Sequence, residues 1–387
     1  MRDHYGHLAE AERRLLEDAR RIADILRPIA EDGEPGRVNR PLVEALAEHG
    51  LLGRLFGETA GNGNRARDQG GRQISALDLC LIREGLALGS TEAETSFALQ
   101  GLGSYPVLLA GREELVREWI PAVAAGEAVA GFALTEPEAG SDVGALALRA
   151  ERDGGGWRLH GTKTFISNAP EADLYTVFAR TSGDGGARGI SAFAVPGAAD
   201  GVAGEHLELL APHPIGRLEL NDAYVGEENL LGEVDAGFGV AMRTLNLFRP
   251  SVGAFAVGMA QAAIDAAVEH SGSRQAFGKT LSDFQAVSHR LAEMETRVHA
   301  ARLLVHDAAR ATDDGREASR SLVAMAKLLA TETAQQAVDA AIQVEGGRAL
   351  ERGNLLEHLY REVRAPRIYE GATEIQREII SRELYGG

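Results

Sequence analysis

Gly131-Phe132-Ala133-Leu134-Thr135-Glu136-Pro137-Glu138-Ala139-Gly140-Ser141-Asp142 marks the place where the chain changes its period. Upstream, from about Leu8 to Glu127, apolar residues recur at helical spacing. Leu15, Leu16, Ala19, Ile22, Ala23, Ile25 and Leu26 form one stripe, Leu42, Leu46 and Leu51 continue the type, and Leu115, Val116, Trp119 and Ile120 close the zone. Downstream, from about Ala128 to Gly232, apolar residues come in short runs: Trp157 and Leu159, then Tyr175, Val177 and Phe178, then Ile190, Ala192, Phe193 and Val195. Turns at Asp153-Gly154-Gly155-Gly156, Ser182-Gly183-Asp184-Gly185-Gly186 and Pro196-Gly197 separate them, which predicts a compact antiparallel sheet or barrel.

From about Phe238 onward the helical period returns. Alanine-rich segments run Val252–Glu269, Phe284–Ala311 and Ser319–Gln343, punctuated by Gly272, Gly315, Gly346-Gly347 and Pro366. Long helices with short connections predict a four-helix bundle. The expected fold class is α+β multidomain: an N-terminal α-helical domain (1–127), a middle β-barrel domain (128–236) and a C-terminal four-helix bundle (237–387). The stretch Gly61–Gly71 contains Gly-x-Gly-x-x-Ala, but no strand precedes it, so it reads as a connection rather than a dinucleotide fingerprint.

Composition narrows the function. The 387 residues carry 40 Lys and Arg against 57 Asp and Glu, a net charge of -17. Nucleic-acid binding requires a basic footprint, and attraction to anionic lipid requires basic charge, so neither is expected. The single cysteine, Cys80, lies in an apolar run and reads as a small hydrophobe, excluding an internal disulfide framework and any multi-Cys zinc site. No metal is expected. The N-terminus shows no signal-peptide apolar region, and no uninterrupted apolar run reaches about 18 residues. A cytoplasmic protein without membrane insertion is expected.

Five segments carry candidate chemistry. In the first, Pro137 and Gly140 force irregular backbone, so Thr135, Ser141 and exposed N–H groups can line a cofactor. In the second, Gly161-Thr162-Lys163-Thr164-Phe165-Ile166-Ser167-Asn168, strand alternation puts Phe165 and Ser167 on one face, an aromatic ring beside a hydroxyl; a plain half-buried strand has the same alternation. The third is Arg274-Gln275-Ala276-Phe277-Gly278-Lys279 and the fourth Gln343-Val344-Glu345-Gly346-Gly347, where glycines and an Arg suit phosphates or an adenosine, and equally suit helix ends. The fifth is Arg367-Ile368-Tyr369-Glu370-Gly371-Ala372-Thr373-Glu374-Ile375-Gln376-Arg377. Thr373 and Gln376 have the form of a capping box, and Ile375, Ile379, Ile380 and Leu384 follow at helical spacing. Glu370 is therefore expected on a tight turn at a helix N-terminus, where a carboxylate base beside free N–H groups can take a proton alpha to a carbonyl and hold the oxyanion. A solvated loop Glu before a surface helix fits the same residues.

Taken in order, these segments resemble the acyl-CoA dehydrogenase family of flavoproteins over nearly the whole chain, and helical, β, helical is that family's architecture. The separations from Gly347 to Glu370 and from Arg249 to Arg274 fit as well. The resemblance implies FAD-dependent α,β-dehydrogenation of an acyl-CoA to a trans-2-enoyl thioester. Glu370 would be the α-proton base, with hydride transfer to flavin N5. It implies cofactor contacts from Phe132, Leu134, Thr135, Gly140, Ser141, Phe165, Ser167, Arg274, Phe277, Gln343, Gly346, Gly347 and Thr373, with Arg274, Phe277, Gln343 and Gly347 reaching the FAD of a neighbouring subunit. Ser141, Asn246, Arg249 and Gly371 would meet substrate. A homo-oligomer, as a tetramer, and an electron-transfer flavoprotein as acceptor are also implied.

Several positions depart from the family pattern. Phe165 stands for a frequent Trp and Ser167 for a frequent Thr; Ala372 stands where Thr is common, Glu374 where Gln or Asn is, and Asn246 where some relatives use Asp. Phe248 lies where some members place a helix-borne base, which leaves the role to Glu370. Close alternatives are an acyl-carrier-protein-linked acyl dehydrogenase and a flavin monooxygenase or oxidase on the same scaffold. A non-catalytic acyl-CoA-binding scaffold is a further one.

Overall fold

The structure is a computed structural model and describes residues 4–57, 74–183, 185–316 and 319–386. The glycine-rich stretch Gly61–Gly71 lies outside the described residues. Helices α1 (Glu10–Glu31), α2 (Arg40–Glu48), α3 (Leu51–Arg54), α4 (Ala76–Gly89), α5 (Thr91–Ala110) and α6 (Glu113–Ala124) come first. Strands β1 (Ala130–Ala133), β2 (Arg149–Asp153), β3 (Gly156–Ser167), β4 (Leu174–Arg180), β5 (Ile190–Pro196), β6 (Val202–His206), β7 (Ile215–Gly226) and β8 (Leu230–Leu231) follow. Next come α7 (Gly237–Ser273), a hairpin of β9 (Gln275–Ala276) and β10 (Lys279–Thr280), then α8 (Gln285–Asp313), α9 (Ser319–Glu345), α10 (Leu355–Glu362) and α11 (Thr373–Leu384).

The chain forms two compact units. One contains residues 1–25, 75–94 and 246–387; the other contains 26–74 and 95–245. The first is helical. Alanine-rich faces let its helices approach closely: a Cβ on Gly258 of α7 would come within 2.7 Å of the Glu84 carbonyl of α4. The start of α4 is capped twice, by Ser75, which accepts from the Asp78 N–H at 3.1 Å, and by Asp313 at the end of α8, which accepts from Ala76 and Leu77 N–H at 2.6 and 3.1 Å. These carboxylate bonds satisfy donors that a helix start otherwise leaves open. Over its most apolar window α7 is long and apolar enough to cross a membrane, but 83% of that window is buried, so it is a core helix.

The second unit is built on an eight-stranded sheet in the order β6-β7-β3-β2-β4-β5-β8, with β1 added in parallel to β4. Ladders are otherwise antiparallel except at Arg149↔Arg180, where β2 touches β4. Trp157, Leu159, Tyr175, Val177, Phe178 and Phe193 fill its core, all 3% exposed or less. On α5, Gly103 has no room for a side chain, since a Cβ would lie 2.7 Å from the Ala130 backbone. Thr176 of β4 donates to the Gly103 carbonyl at 2.8 Å, so α5 is pinned to the strands it covers. The longest ladder, β3 with β7, is not a plain alternating pair. Its register breaks at Leu159/His160 and again between Lys163 and Ile166. The second break bears directly on the site below.

Candidate active site

Glu370 lies between a short 3-10 turn, Ala365–Arg367, and α11, in the helical unit. It adopts a left-handed backbone, φ 51°, and Gly371 follows at φ 95°. Three successive carbonyl oxygens along this turn are held by buried side chains. Lys327 of α9 donates through Nζ to the Tyr369 carbonyl and, at 2.5 Å, to that of Gly371. Arg249 of α7 donates from Nε to the Glu370 carbonyl at 3.0 Å and from Nη1 to Asn246 Oδ1 at 3.1 Å. Gln376 of α11 donates to the Gly371 carbonyl at 2.8 Å. The backbone N–H of Glu370 has no partner among the described residues. Its carboxylate Oε2 is buried and likewise unpartnered. The main chain of this residue is tied down while its carboxylate is left free.

Electrostatics at the turn pull in two directions. Burial raises the Glu370 carboxyl above the usual carboxylate range, and the cations Arg83, Lys327 and Arg249 oppose that rise. Arg249 is itself lowered by burial against the attraction of Glu370. Arg83 of α4 is buried, forms an ion pair with the fully buried Glu94, and donates to Ser251 Oγ at 2.7 Å.

The expected capping box does not form. Ala372 is the N-cap of α11 and makes no side-chain cap bond. Thr373 is the first helical residue, and its hydroxyl donates to Glu332 Oε1 of α9 at 3.0 Å. One position inside the helix, the hydroxyl no longer faces the third N–H of the turn, and a carboxylate on α9 takes it instead. Gln376 turns back to the Gly371 carbonyl rather than to an N–H. Glu374 is exposed and lies 3.8 Å from Arg377, so its charge points away from the turn.

In the other unit, the segment after β1 and the end of β3 are bonded together. The Thr164 N–H donates to the Thr135 carbonyl at 3.0 Å, and Lys163 donates to the Leu134 carbonyl at 3.0 Å and to Glu136 Oε1 at 2.7 Å. Glu136 in turn accepts from Ala147 and Leu148 N–H at 2.6 and 3.0 Å. Lys163 is fully buried, and burial brings it down to about 8 against the attraction of Glu136. Asn168 donates to the Ala130 carbonyl at 2.8 Å. The register break puts Phe165 at φ 55° and 59% exposed, while Ile166 is buried and Ser167 half-buried. Phe165 and Ser167 do share the more open side, but through a bulge rather than a regular alternation. Phe132 packs against Phe178 with ring centroids 5.0 Å apart, and Gly140 and Ser141 are exposed on the loop. The broad exposed ring of Phe165, the Thr135 and Ser167 hydroxyls and the open space over Gly140 suit a flat, hydrogen-bonding cofactor.

The remaining singled-out residues lie apart from Glu370, with no hydrogen bond or ion pair to its turn among the described residues. Arg274 precedes β9. Phe277, 96% exposed, and Gly278 form the two-residue tip of the β9–β10 hairpin, both at positive φ, the geometry such hairpins require. Gln343, Gly346 and Gly347 are exposed at the end of α9.

Lys327, Arg83 with Glu94, and Lys163 with Glu136 were not singled out from sequence as site groups. The available signal was a charge inside an apolar run, as in Val323-Ala324-Met325-Ala326-Lys327-Leu328-Leu329-Ala330 or Leu79-Cys80-Leu81-Ile82-Arg83-Glu84. Such a charge is buried in the folded chain, and buried charges are paired or bonded.

Comparison with known proteins matches this arrangement to one family. The acyl-CoA dehydrogenase N-terminal, middle and C-terminal domain models match residues 9–127, 131–223 and 235–385. The probable acyl-CoA dehydrogenase FadE25 of Mycobacterium tuberculosis is 37% identical over 82% of this chain and 82% of its own. The caffeyl-CoA reductase-Etf complex subunit CarC of Acetobacterium woodii is 34% identical over 93% of each. The solved structure of butyryl-CoA dehydrogenase from Megasphaera elsdenii superposes with a TM-score of 0.89 at 31% identity, covering 98% of this chain and 99% of that one. The chain belongs to the acyl-CoA dehydrogenase family of oxidoreductases.

Proposed function

We propose that the protein is an FAD-dependent acyl-CoA dehydrogenase in which Glu370 removes the α-proton of an acyl thioester and the β-hydrogen departs as hydride, so that a trans-2-enoyl thioester results. One observation carries this reading: a buried, unpartnered carboxylate on a turn whose three carbonyls are all held by side chains. A base needs a fixed backbone and an open oxygen, and a raised carboxyl is better matched to neutral pH. The unpartnered N–H of Glu370 is suited to donate to the thioester carbonyl oxygen, stabilising the charge that develops there. Arg249 and Asn246 steady the same turn from α7. Thr135, Phe165, Ser167 and the loop through Gly140 and Ser141 are the residues that would hold the isoalloxazine. When bound, FAD supplies the acceptor for the β-hydrogen as hydride.

Phe277, Arg274, Gln343, Gly346 and Gly347 are read as contacts to the cofactor of a neighbouring subunit in a homotetramer. The exposure of Phe277 supports this, because an aromatic ring 96% exposed on a strained tip gains from being covered. The similarity to a subunit of an Etf complex supports an electron-transfer flavoprotein as acceptor. An acyl-carrier-protein thioester would be handled by the same residues.

Anaerobic flavin bleaching against a panel of acyl-CoA and acyl-carrier-protein thioesters tests the reading. At least one thioester should bleach the wild type, and Glu370→Gln should slow bleaching by about 10²-fold or more. Equal rates for the two proteins would remove Glu370 from the role of base.

A further inference from the structure

Lys327 occupies an unusual place. It is 1% exposed on α9, in the middle of an alanine-rich face. Its ammonium bridges the carbonyl before Glu370 and the carbonyl after it, and lies 5.9 Å from the Tyr369 ring centroid. No carboxylate forms an ion pair with it among the described residues. The nearby acid on α9, Glu332, is taken by Arg367 at 2.9 Å and by Thr373. A buried ammonium without a direct ion pair is costly and persists only where its surroundings require it. What surrounds Lys327 is the turn that presents the base.

We propose that Lys327 is the positioning residue for Glu370: its bridge across the flanking carbonyls holds the left-handed turn, and its charge serves the Glu370 carboxylate as counter-ion. The proposal rests on the assignment of Glu370 as base. The turn is strained at Glu370, and such a conformation is kept only when neighbours over-determine it. Two carbonyls converging on one ammonium do that, since a different φ at Glu370 would swing one of them away.

The charged groups around the pair come from several elements. Arg249 on α7 acts on both Lys327 and Glu370, and Arg83 on α4 acts on Glu370. Arg320 on α9 acts on Arg249. Burial brings Lys327 down to about 7, against the attraction of Glu370. Burial raises the Glu370 carboxyl, and the Lys327 ammonium opposes that rise.

The test uses holoenzyme and a readout that does not need turnover. The carboxyl band of Glu370, isolated by infrared difference against Glu370→Gln, is titrated in wild type, Lys327→Met and Lys327→Arg. Loss of the charge in Lys327→Met should raise the Glu370 midpoint by about 1 pH unit. The acid limb of the kcat/KM profile should move with it. Lys327→Arg keeps the charge, so its midpoint should stay at or below that of wild type. A midpoint unmoved in Lys327→Met overturns the proposal, and so does a rise in Lys327→Arg. If Lys327→Met does not fold, the Lys327→Arg titration decides alone by the same criterion. Should no thioester bleach the flavin while the midpoints shift as stated, the assignment of Glu370 as base fails and only the coupling of Lys327 to the Glu370 carboxyl is left.

Discussion

Phe165, Phe277 and Glu370 have φ of 55°, 52° and 51°. Among the described residues, the other non-glycine positions at positive φ are Asn168, Asp222 and Asp235, types that tolerate it because a short polar side chain can bond locally. The three bulky exceptions are the proposed flavin-facing ring, the hairpin tip and the proposed base, which is where strain is expected to be stored for function. At Glu370 this separates stability from activity. Glu370→Gly removes both strain and base, so activity should be lost. The melting free energy should stay within about 1 kcal/mol of wild type or rise above it. Gly371→Ala should instead cost stability. At φ 95° an added Cβ is strained and would sit 2.5 Å from Gln376 Nε2, displacing one of the donors that hold the turn. A loss of about 1–3 kcal/mol is expected in chemical denaturation. If Glu370→Gly melts well below wild type while Gly371→Ala does not, the turn is not strained in this way.

Single elements were legible in the sequence to different degrees. Apolar spacing placed α8 and α9 within a few residues of their ends, because long amphipathic periods survive local exceptions. It underestimated α7, which runs on from Gly237 through Pro250, since surrounding helices stabilise a core helix despite the missing N–H. The Thr373–Gln376 motif was misread because sequence cannot show Glu332 waiting on α9. The bulge at Phe165 was hidden for a similar reason: what bends β3 is the bonding of Thr164 and Lys163 to the segment after β1, a contact across about thirty residues of chain. That segment depends on the Lys163–Glu136 pair. Lys163→Met leaves Glu136 buried without its cation, and breaking such a pair typically costs about 3–5 kcal/mol. Protein purified from this variant should carry less flavin per chain than wild type; full flavin content at unchanged stability would contradict the role given to the pair. The hairpin makes the opposite prediction. Phe277 contributes little to the fold of its own chain, so Phe277→Ala should keep the wild-type helical content but sediment as smaller species and lose flavin on dilution. An unchanged sedimentation profile would count against its contact with a second subunit.

At the scale of the molecule, the order helical, β, helical was readable because periods of 3.6 and 2 differ over any window of a dozen residues. What period cannot reveal is the buried charge that each unit encloses. In the helical unit, Glu84 of α4 is fully buried and accepts from Arg302 Nε at 2.7 Å and Tyr5 Oη at 3.0 Å, with His306 Nε2 at 3.1 Å. Arg302 also donates to Gln261 at 2.9 Å, and His7 meets His306 at 2.8 Å. Burial alone would raise Glu84; Arg302 and His306 outweigh it and hold the carboxyl near about 2. Burial and His306 bring His7 down to about 4. Both depressions make the fold acid-sensitive, in two stages. Unfolded His7 takes a proton near 6.5 and folded His7 near 4, so its contribution is present above about 6.5 and fades as pH falls toward 4. Unfolded Glu84 is protonated near 4.5 and folded Glu84 near 2, so its contribution is present above 4.5 and fades as pH falls toward 2. Denaturation followed from pH 7 down to pH 3 should show stability falling in both windows. His7→Gln should flatten the upper window and leave the lower one. Glu84→Gln should be less stable at pH 7, because Arg302 loses its anion in a buried site, and should lose the lower window. A Glu84→Gln protein that still loses stability between pH 4.5 and 3 as steeply as wild type would show that other carboxylates, not this network, set the acid limit of the fold.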